Sequence, residues 1–260
     1  KFGTREEKNS TDTTMPGRFF IQRFLRRAVR AGCTHAILEV TSQGILQYRH
    51  RFIDFDVAAF LNLHPEHIEA HGTFEKYRDA KVQFFTDVAK RSTKPKKLFF
   101  INERDASARF FEEAVRTRHS RESGNPKLQE NLGSPIESGM TNAGEIVLWN
   151  ATWFGKDVSR LNAWFRESPF LEEDAALAAA IAERVGVSRA TILSSLATFS
   201  GIPGRMEWVQ KKPFGVIIDY AHTPGSLREV YKALKSPKNK ELGTRNLICV
   251  LGSAGGGRDK

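Results

Sequence analysis

The segment from Val57 to Lys81 restricts the fold of this chain more than any other. Val57-Ala58-Ala59-Phe60-Leu61 is an apolar run with the length of a buried strand. The loop that follows, Asn62 to Gly72, carries three histidines (His64, His67, His71) and two acids (Glu66, Glu69). Thr73 is then a good N-cap for a helix reaching to about Lys90, with Glu75 near its positive end. Tyr77, Lys81 and Phe85 recur at i, i+4 and i+8, so they share one helix face. A lysine between two aromatics either snorkels from an apolar face or is held in a site. A strand leading through a His- and acid-rich loop into a helix is the repeating unit of an open α/β sheet. Such sheets place their chemistry at the carboxyl ends of the strands.

The flanking chain repeats that unit. Phe19 to Ala31 has helical spacing, with Gly32 as its stop. Thr34 to Val40 has the character of a buried strand ending near Glu39, followed by the polar loop Thr41-Ser42-Gln43-Gly44. Further strands are expected at Asp56–Leu61, Lys97–Asn102 and Glu145–Asn150, and further helices at Asp105–Val115, Glu172–Val185 and from Ser188 to about Phe199. Residues 116–144 break the pattern. They are polar and rich in Ser, Gly and Pro, as expected of a disordered surface insertion, and they resemble the translated interspersed repeats of some bacterial genes. Gly201-Ile202-Pro203-Gly204 marks a boundary. Beyond it lie Met206–Val209, a strand at Phe214–Asp219, a helix at Ser226–Leu234 and a strand at Asn246–Leu251 running into Gly252–Gly257. The expected fold is therefore α/β: a mostly parallel sheet flanked by helices over residues 1–200, then a truncated α/β unit over 201–260.

Composition narrows the function classes. The chain has 260 residues, 40% of them hydrophobic and 27% charged, as in a soluble globular protein. Its net charge of +10 suits either a solvated basic surface or attraction of a phosphate-bearing substrate. No RNA-type aromatic motif or zinc-finger spacing occurs, so no nucleic-acid partner is expected. Cys33 and Cys249 form neither a disulfide framework nor a metal knuckle, which indicates a reducing compartment. No apolar run is long enough to span a bilayer, so no membrane role is expected. Lys1-Phe2-Gly3-Thr4-Arg5 is no signal peptide, and both ends read as cuts through a longer protein.

Taken singly, the candidate groups are weak signals. Glu39, His67 and Asp219 fall at strand ends, where an acid is usually a cap or turn residue. His67 and His71 have the i, i+4 spacing of a zinc pair, but Gly72 puts His71 at a turn. Glu39 with His67 suits Mg²⁺ only if phosphate oxygens complete the shell. Gly252 to Arg258 could cradle an anion with its N–H groups, yet it has neither Walker A nor dinucleotide spacing. Ser42 and Cys33 lack the signature of a nucleophile.

In combination, the stretches resemble the Mur ligases, most closely their UDP-N-acetylmuramoyl-tripeptide synthetase branch. The resemblance rests on Glu39-Val40-Thr41-Ser42-Gln43-Gly44 with Gln47-Tyr48-Arg49; on Phe60-Leu61-Asn62-Leu63 with Glu66 to Thr73; and on Tyr77-Arg78-Asp79-Ala80-Lys81. It continues in Gly204-Arg205-Met206-Glu207, Asp219-Tyr220-Ala221-His222-Thr223-Pro224 and the Gly252–Lys260 loop. Order and rough spacing agree over most of the chain outside the insertion. Thr41 and Gln43 depart from the Ser and His of many members. The family's Asn-containing segment is not recognisable before Asp174. Its glycine-rich Lys-Thr P-loop is expected upstream of Lys1, and the part that selects the amino acid beyond Lys260.

What the resemblance implies is ATP-dependent amide formation: addition of an amino acid to UDP-N-acetylmuramoyl-L-alanyl-D-glutamate through an acyl phosphate, in the cytoplasm, by a monomer. It implies Mg²⁺ at Glu39, His67 and a carbamylated Lys81. It implies UDP-muramoyl peptide binding by Thr13, Thr14, Thr41, Gln47 and Arg49, and contact with ATP by Arg205, Asp219, Tyr220, His222 and Arg258. Two other readings stand beside it. One is a related cyanophycin- or folylpolyglutamate-type ligase. The other is a non-catalytic remnant, suggested by the 116–144 insertion and the apparent loss before Asp174.

Overall fold

The computed structural model describes residues 11, 13–65, 68–116, 138–141, 144–150, 153–154, 161–166, 168–236 and 246–252, the side chains of Glu69 and 138–141 excepted. The elements, in chain order, are α1 (Arg18–Arg30), α2 (Ser42–Leu46), β1 (Val57–Phe60), α3 (Ile68–His71), α4 (Phe74–Arg91), β2 (Leu98–Asn102), α5 (Ala108–Arg116), β3 (Ser138–Thr141) and β4 (Gly144–Trp149). They continue with α6 (Ala163–Arg166), α7 (Pro169–Arg184), α8 (Arg189–Thr198), β5 (Glu207–Gln210), β6 (Val216–Ile218) and α9 (Pro224–Leu234). The described residues divide into two compact units, one ending at Val147 and one beginning at Leu148, with Asn102–Arg104 grouped with the second. Most of the expected 116–144 insertion lies outside the described residues.

The main sheet has the order β1-β2-β4-β3. β1 and β2 run parallel in the register Val57↔Leu98 to Phe60↔Ile101. The Glu145 N–H donates to the Lys97 carbonyl and the Glu103 N–H to the Trp149 carbonyl, so β4 follows β2 in the same direction. β3 returns antiparallel to β4. β2 is buried on both faces, with Phe99, Phe100 and Ile101 at 0% exposure, as a central strand in an α/β sheet must be. Packed beside it is an aromatic cluster: the Phe60 and Phe111 rings stack at 3.8 Å, and Phe85 meets Phe111 edge-on at 5.0 Å. Each fully buried phenylalanine contributes about 2–3 kcal/mol relative to an exposed one. This cluster welds α4 and α5 to the sheet, and thereby places the face of α4 that carries Lys81.

Helix starts follow their caps. Thr73 accepts the Lys76 N–H at 3.2 Å and opens α4, while Ser188 accepts the Thr191 N–H and opens α8. α7 and α9 begin at Pro169 and Pro224, a little before the apolar periodicity suggests, because proline is tolerated in a first turn that needs no N–H. In α9, Thr223 and Ser226 form a reciprocal capping box.

Two expected strands are not formed. Thr34–Val40 has no regular secondary structure and no ladder among the described residues, and Ile37 is 98% exposed. Asn246–Leu251 is likewise without a ladder, with Val250 94% exposed. Apolar sequence can nominate a strand, but only a neighbouring strand can satisfy its backbone. Among the described residues β1 pairs only with β2, and β6 only with β5. The second region is accordingly an antiparallel β5–β6 pair with α9, in place of the expected parallel unit closed by 246–251.

Candidate functional site

In the first unit, two segments that are distant in sequence meet around Met15. Met15 is buried, and Thr13 and Thr14 beside it are exposed. Nη1 of Arg49 donates to the Met15 carbonyl. Met15 also lies against Gly44 of α2, where an added Cβ would come within 2.4 Å of the Met15 sulfur. Thr41 is the N-cap of α2 and accepts the Gly44 N–H at 3.2 Å. Gln47 is its C-cap and is exposed. Thr13, Thr14, Thr41, Gln47 and Arg49 are therefore carried by two segments clasped at Met15. Thr13, Thr14 and Gln47 face solvent, and Arg49 and Thr41 are partly committed to the scaffold.

α2 is also tied to the end of α3, just before α4. Ser42 Oγ and His71 Nε2 are 2.9 Å apart in the interior. The His71 ring packs against Tyr77, and Lys81 Nζ lies 5.2 Å from the centre of the same Tyr77 ring. Lys81 is half-buried, whereas its face-mates Tyr77 and Phe85 are core residues. Gly72, at φ 83°, turns the chain between α3 and α4, as expected of the His71-Gly72 pair. The exit loop of β1 is held by Asp105, which accepts the Leu63 N–H at 2.7 Å and the Ser107 N–H at 2.8 Å.

The expected cation site is not assembled by the described residues. Glu39 is exposed on the unpaired 34–40 stretch, and His67 lies outside the described residues. Among the described residues no three His, Cys, Asp or Glu side chains gather as a metal set. Lys81 presents an ammonium to Tyr77, and a cation cannot ligate Mg²⁺, which takes oxygen donors. As placed, Glu39 and a Lys81 side chain without oxygen do not by themselves form a donor set for the ion.

In the second unit, the β5–β6 pair brings four expected nucleotide-contacting residues together. The Arg205 guanidinium lies over the Tyr220 ring at 4.6 Å, and Tyr220 meets His222 edge-on at 5.2 Å. Asp219 accepts the Met206 N–H at 2.8 Å and the Ala221 N–H at 2.6 Å. It thus holds the turn that carries Arg205, in which Met206 adopts φ 43°. The Arg205 carbonyl in turn accepts from Trp164 Nε1 at 3.1 Å. An exposed guanidinium stacked on an exposed phenol offers a flat cationic surface to a planar anionic ligand. On α7, Asp174 reaches solvent, yet the protein around its carboxyl pushes its pKa up to about 6, with Glu173 adding to the shift and Arg205 opposing it. Arg258 lies outside the described residues.

Sequence reasoning missed the Ser42–His71 pair, the Asp105 anchor and a buried His50–Asp87 pair, whose nitrogen and oxygen are 2.8 Å apart. Each joins residues about thirty or more positions apart, so no local spacing could have shown it.

The family model for the Mur ligase middle domain matches residues 1–131, and that for the Mur ligase, glutamate ligase domain matches residues 204–260. The UDP-N-acetylmuramoyl-L-alanyl-D-glutamate–2,6-diaminopimelate ligase of Halalkalibacterium halodurans is 31% identical over 264 aligned positions, covering 98% of this chain and 49% of that protein. The UDP-N-acetylmuramyl-tripeptide synthetase of a Roseiflexus species is 31% identical, over 98% of this chain and 50% of its own length. A solved structure of a UDP-N-acetylmuramoyl-L-alanyl-D-glutamate–2,6-diaminopimelate ligase superimposes with a TM-score of 0.56 and 26% identity, over 85% of this chain and 44% of that one. The chain spans about half the length of the curated relatives it matches. No helix among the described residues is long and apolar enough to cross a membrane. With two family models matched in order and relatives aligned along almost its whole length, the chain belongs to the Mur ligase family.

Proposed function

We propose that the chain is part of an ATP-dependent acid–amino-acid ligase of peptidoglycan-precursor synthesis, acting on UDP-N-acetylmuramoyl-L-alanyl-D-glutamate in the cytoplasm. The observation that carries this reading is the clasp at Met15, which draws the Thr13-Thr14 segment to α2 and leaves Thr13, Thr14 and Gln47 facing solvent. Hydroxyls, an amide and a nearby guanidinium suit a ligand that is both phosphorylated and carboxylated. In this reading residues 1–200 are the central domain and 201–260 the start of the C-terminal domain, where Arg205, Tyr220 and His222 meet ATP and Asp219 holds their turn.

The reaction transfers the γ-phosphoryl group of ATP to a substrate carboxylate oxygen, releasing ADP. The amine of the incoming amino acid then bonds to the acyl carbon and gives up a proton. The carbon–oxygen bond to phosphate breaks, and phosphate leaves. Closure against water protects such an acyl phosphate. Mg²⁺ belongs to this proposal as the family expectation for Glu39, His67 and Lys81. Lys81 can serve only as a carbamate, its neutral amine bonding to the carbon of CO₂ and giving up a proton, which replaces a cation with an anionic oxygen donor.

The test has two arms. Titration of the 260-residue chain with UDP-N-acetylmuramoyl-L-alanyl-D-glutamate is expected to give saturable binding. Arg49→Ala should weaken it about ten-fold or more through loss of a charge-assisted contact. The full-length gene product is expected to release phosphate from ATP only when both the muramoyl dipeptide and an amino acid are present. Binding without any such turnover would favour the non-catalytic remnant, a reading to which the exposed position of Glu39 also points. No binding at all would sink the muramoyl reading.

A further inference from the structure

A second site lies on the first unit, apart from the residues assigned above to the muramoyl, cation and nucleotide sites, and it includes the buried His50–Asp87 pair. The loop after α2 and the last turns of α4 enclose a cavity of about 480 Å³, lined by His50, Arg51, Phe52, Phe55, Asp87 and Arg91 among others. His50 is 97% removed from solvent, and its Nε2 is engaged by Asp87. His50 Nδ1 and Arg51 Nε are both buried, and neither has a hydrogen-bond partner among the described residues. These two nitrogens belong to adjacent residues of the same cavity wall. Leaving buried polar atoms unsatisfied costs about 1–3 kcal/mol each, so two together call for a shared partner.

The chemistry of that partner follows from the donors. A guanidinium never deprotonates in a protein, so Arg51 Nε–H can only donate. The ligand must therefore accept a hydrogen bond, which excludes a metal cation at this nitrogen. The two carboxylates in the wall are already occupied. Asp87 accepts from His50, Gln83 and Arg91, and Asp54 accepts from the Thr93 N–H and hydroxyl. The C-terminal end of α4, which would repel an anion, is partly neutralised. The Val88 carbonyl accepts from the Ser92 N–H, and the Ala89 carbonyl from Lys97 Nζ. Arg91 uses only Nε on Asp87, so its terminal nitrogens are available as further donors. We infer that this cavity is a binding site for a small oxyanion, a phosphate or carboxylate group, held by donation from Arg51 and Arg91, with His50 Nδ1 accepting from a protonated ligand oxygen when the ring is neutral and donating to the anion when it is an imidazolium.

The experiment follows the His50 side-chain nitrogen resonances of the 260-residue chain during titration with inorganic phosphate and, separately, with acetate. Sodium chloride at matched ionic strength is the control. The expected result is a saturable shift of Nδ1 with one or both oxyanions and not with chloride; the tighter of the two identifies the group. Arg51→Gln leaves the His50–Asp87 pair in place and should raise the dissociation constant about ten-fold or more, with Arg51→Lys falling between. A shift that is linear in all three salts, or unchanged in Arg51→Gln, would mean that water alone meets these nitrogens and would overturn the proposal.

Discussion

Among the described residues of the first unit two histidines are buried, and each meets a polar side chain contributed from far along the chain. At His50 the partner is Asp87. Burial works to raise the Asp87 pKa, but hydrogen bonds from His50, Arg91 and Gln83 outweigh it and hold the carboxyl below its ordinary 3.8. A folded-state pKa that is depressed stabilises the fold above the unfolded value. That contribution is lost as pH falls through the lowered one. Asp87→Asn should therefore cost about 2–3 kcal/mol near neutral pH in urea melts, since it leaves His50 and Arg91 facing a neutral group. The loss should shrink below pH 3.8, giving the variant a shallower acid limb than the parent. At His71 the partner is Ser42. Ser42→Ala removes the group facing Nε2 in the interior and should cost about 1–3 kcal/mol. Because the pair ties α2 to the end of α3, the same variant should also weaken binding of the muramoyl dipeptide. An unchanged affinity would show that the tie does not position α2.

Local rules account for the helices, and non-local pairing decides the strands. α4 was legible from Thr73, the Tyr77–Lys81–Phe85 spacing and its basic end, all of them features within one helix. α7 and α9 were legible in kind, with their starts displaced only by a proline in the first turn. β2 was legible because five consecutive apolar or small polar residues between turns have little else to become, and it is buried throughout. Thr34–Val40 and Asn246–Leu251 look alike in sequence but need a partner strand that the described residues do not supply. The same limit governs the site. The Arg205–Tyr220–His222 grouping follows from one short antiparallel pair, whereas Glu39 depends on a strand that is not formed. Glycine positions test this distinction between local and non-local demands. Gly144 opens β4 at φ 145°, and an added Cβ would come within 2.7 Å of the Lys97 carbonyl at the entry to β2. Gly186 ends α7 at φ 97° with open space around it. Gly186→Ala should cost about 1–2 kcal/mol of backbone strain. Gly144→Ala should cost more, about 2–4 kcal/mol, because strain and a backbone clash add. Equal melting temperatures for the two variants would contradict this placement of β4.

At the scale of the whole chain, the described residues form tightly determined patches and segments that no described strand pairs. β2 with Phe60, Phe85 and Phe111 is the most buried patch of the first unit. In the second unit Phe165 stacks on Phe199 at 5.1 Å, and both lie beside Trp164, which holds the Arg205 carbonyl. Against these stand 34–40 and 246–251, irregular, mostly apolar and largely exposed. Amide hydrogen exchange separates the two kinds of chain, because protection requires both a hydrogen-bond acceptor and a costly opening. The amides of β2 are expected to exchange slowest, through opening of the whole unit. Those of 34–40 and 246–251 should exchange within the dead time of the measurement, although both stretches are, like β2, mostly apolar. Added muramoyl dipeptide should slow exchange around Thr13–Met15 and α2, where the clasp would have to open, and should leave 246–251 untouched. If 34–40 instead proves as protected as β2, that stretch is paired in solution. Glu39 would then stand at the end of a true strand, and the case against a cation site at Glu39, His67 and Lys81 would lose its main support.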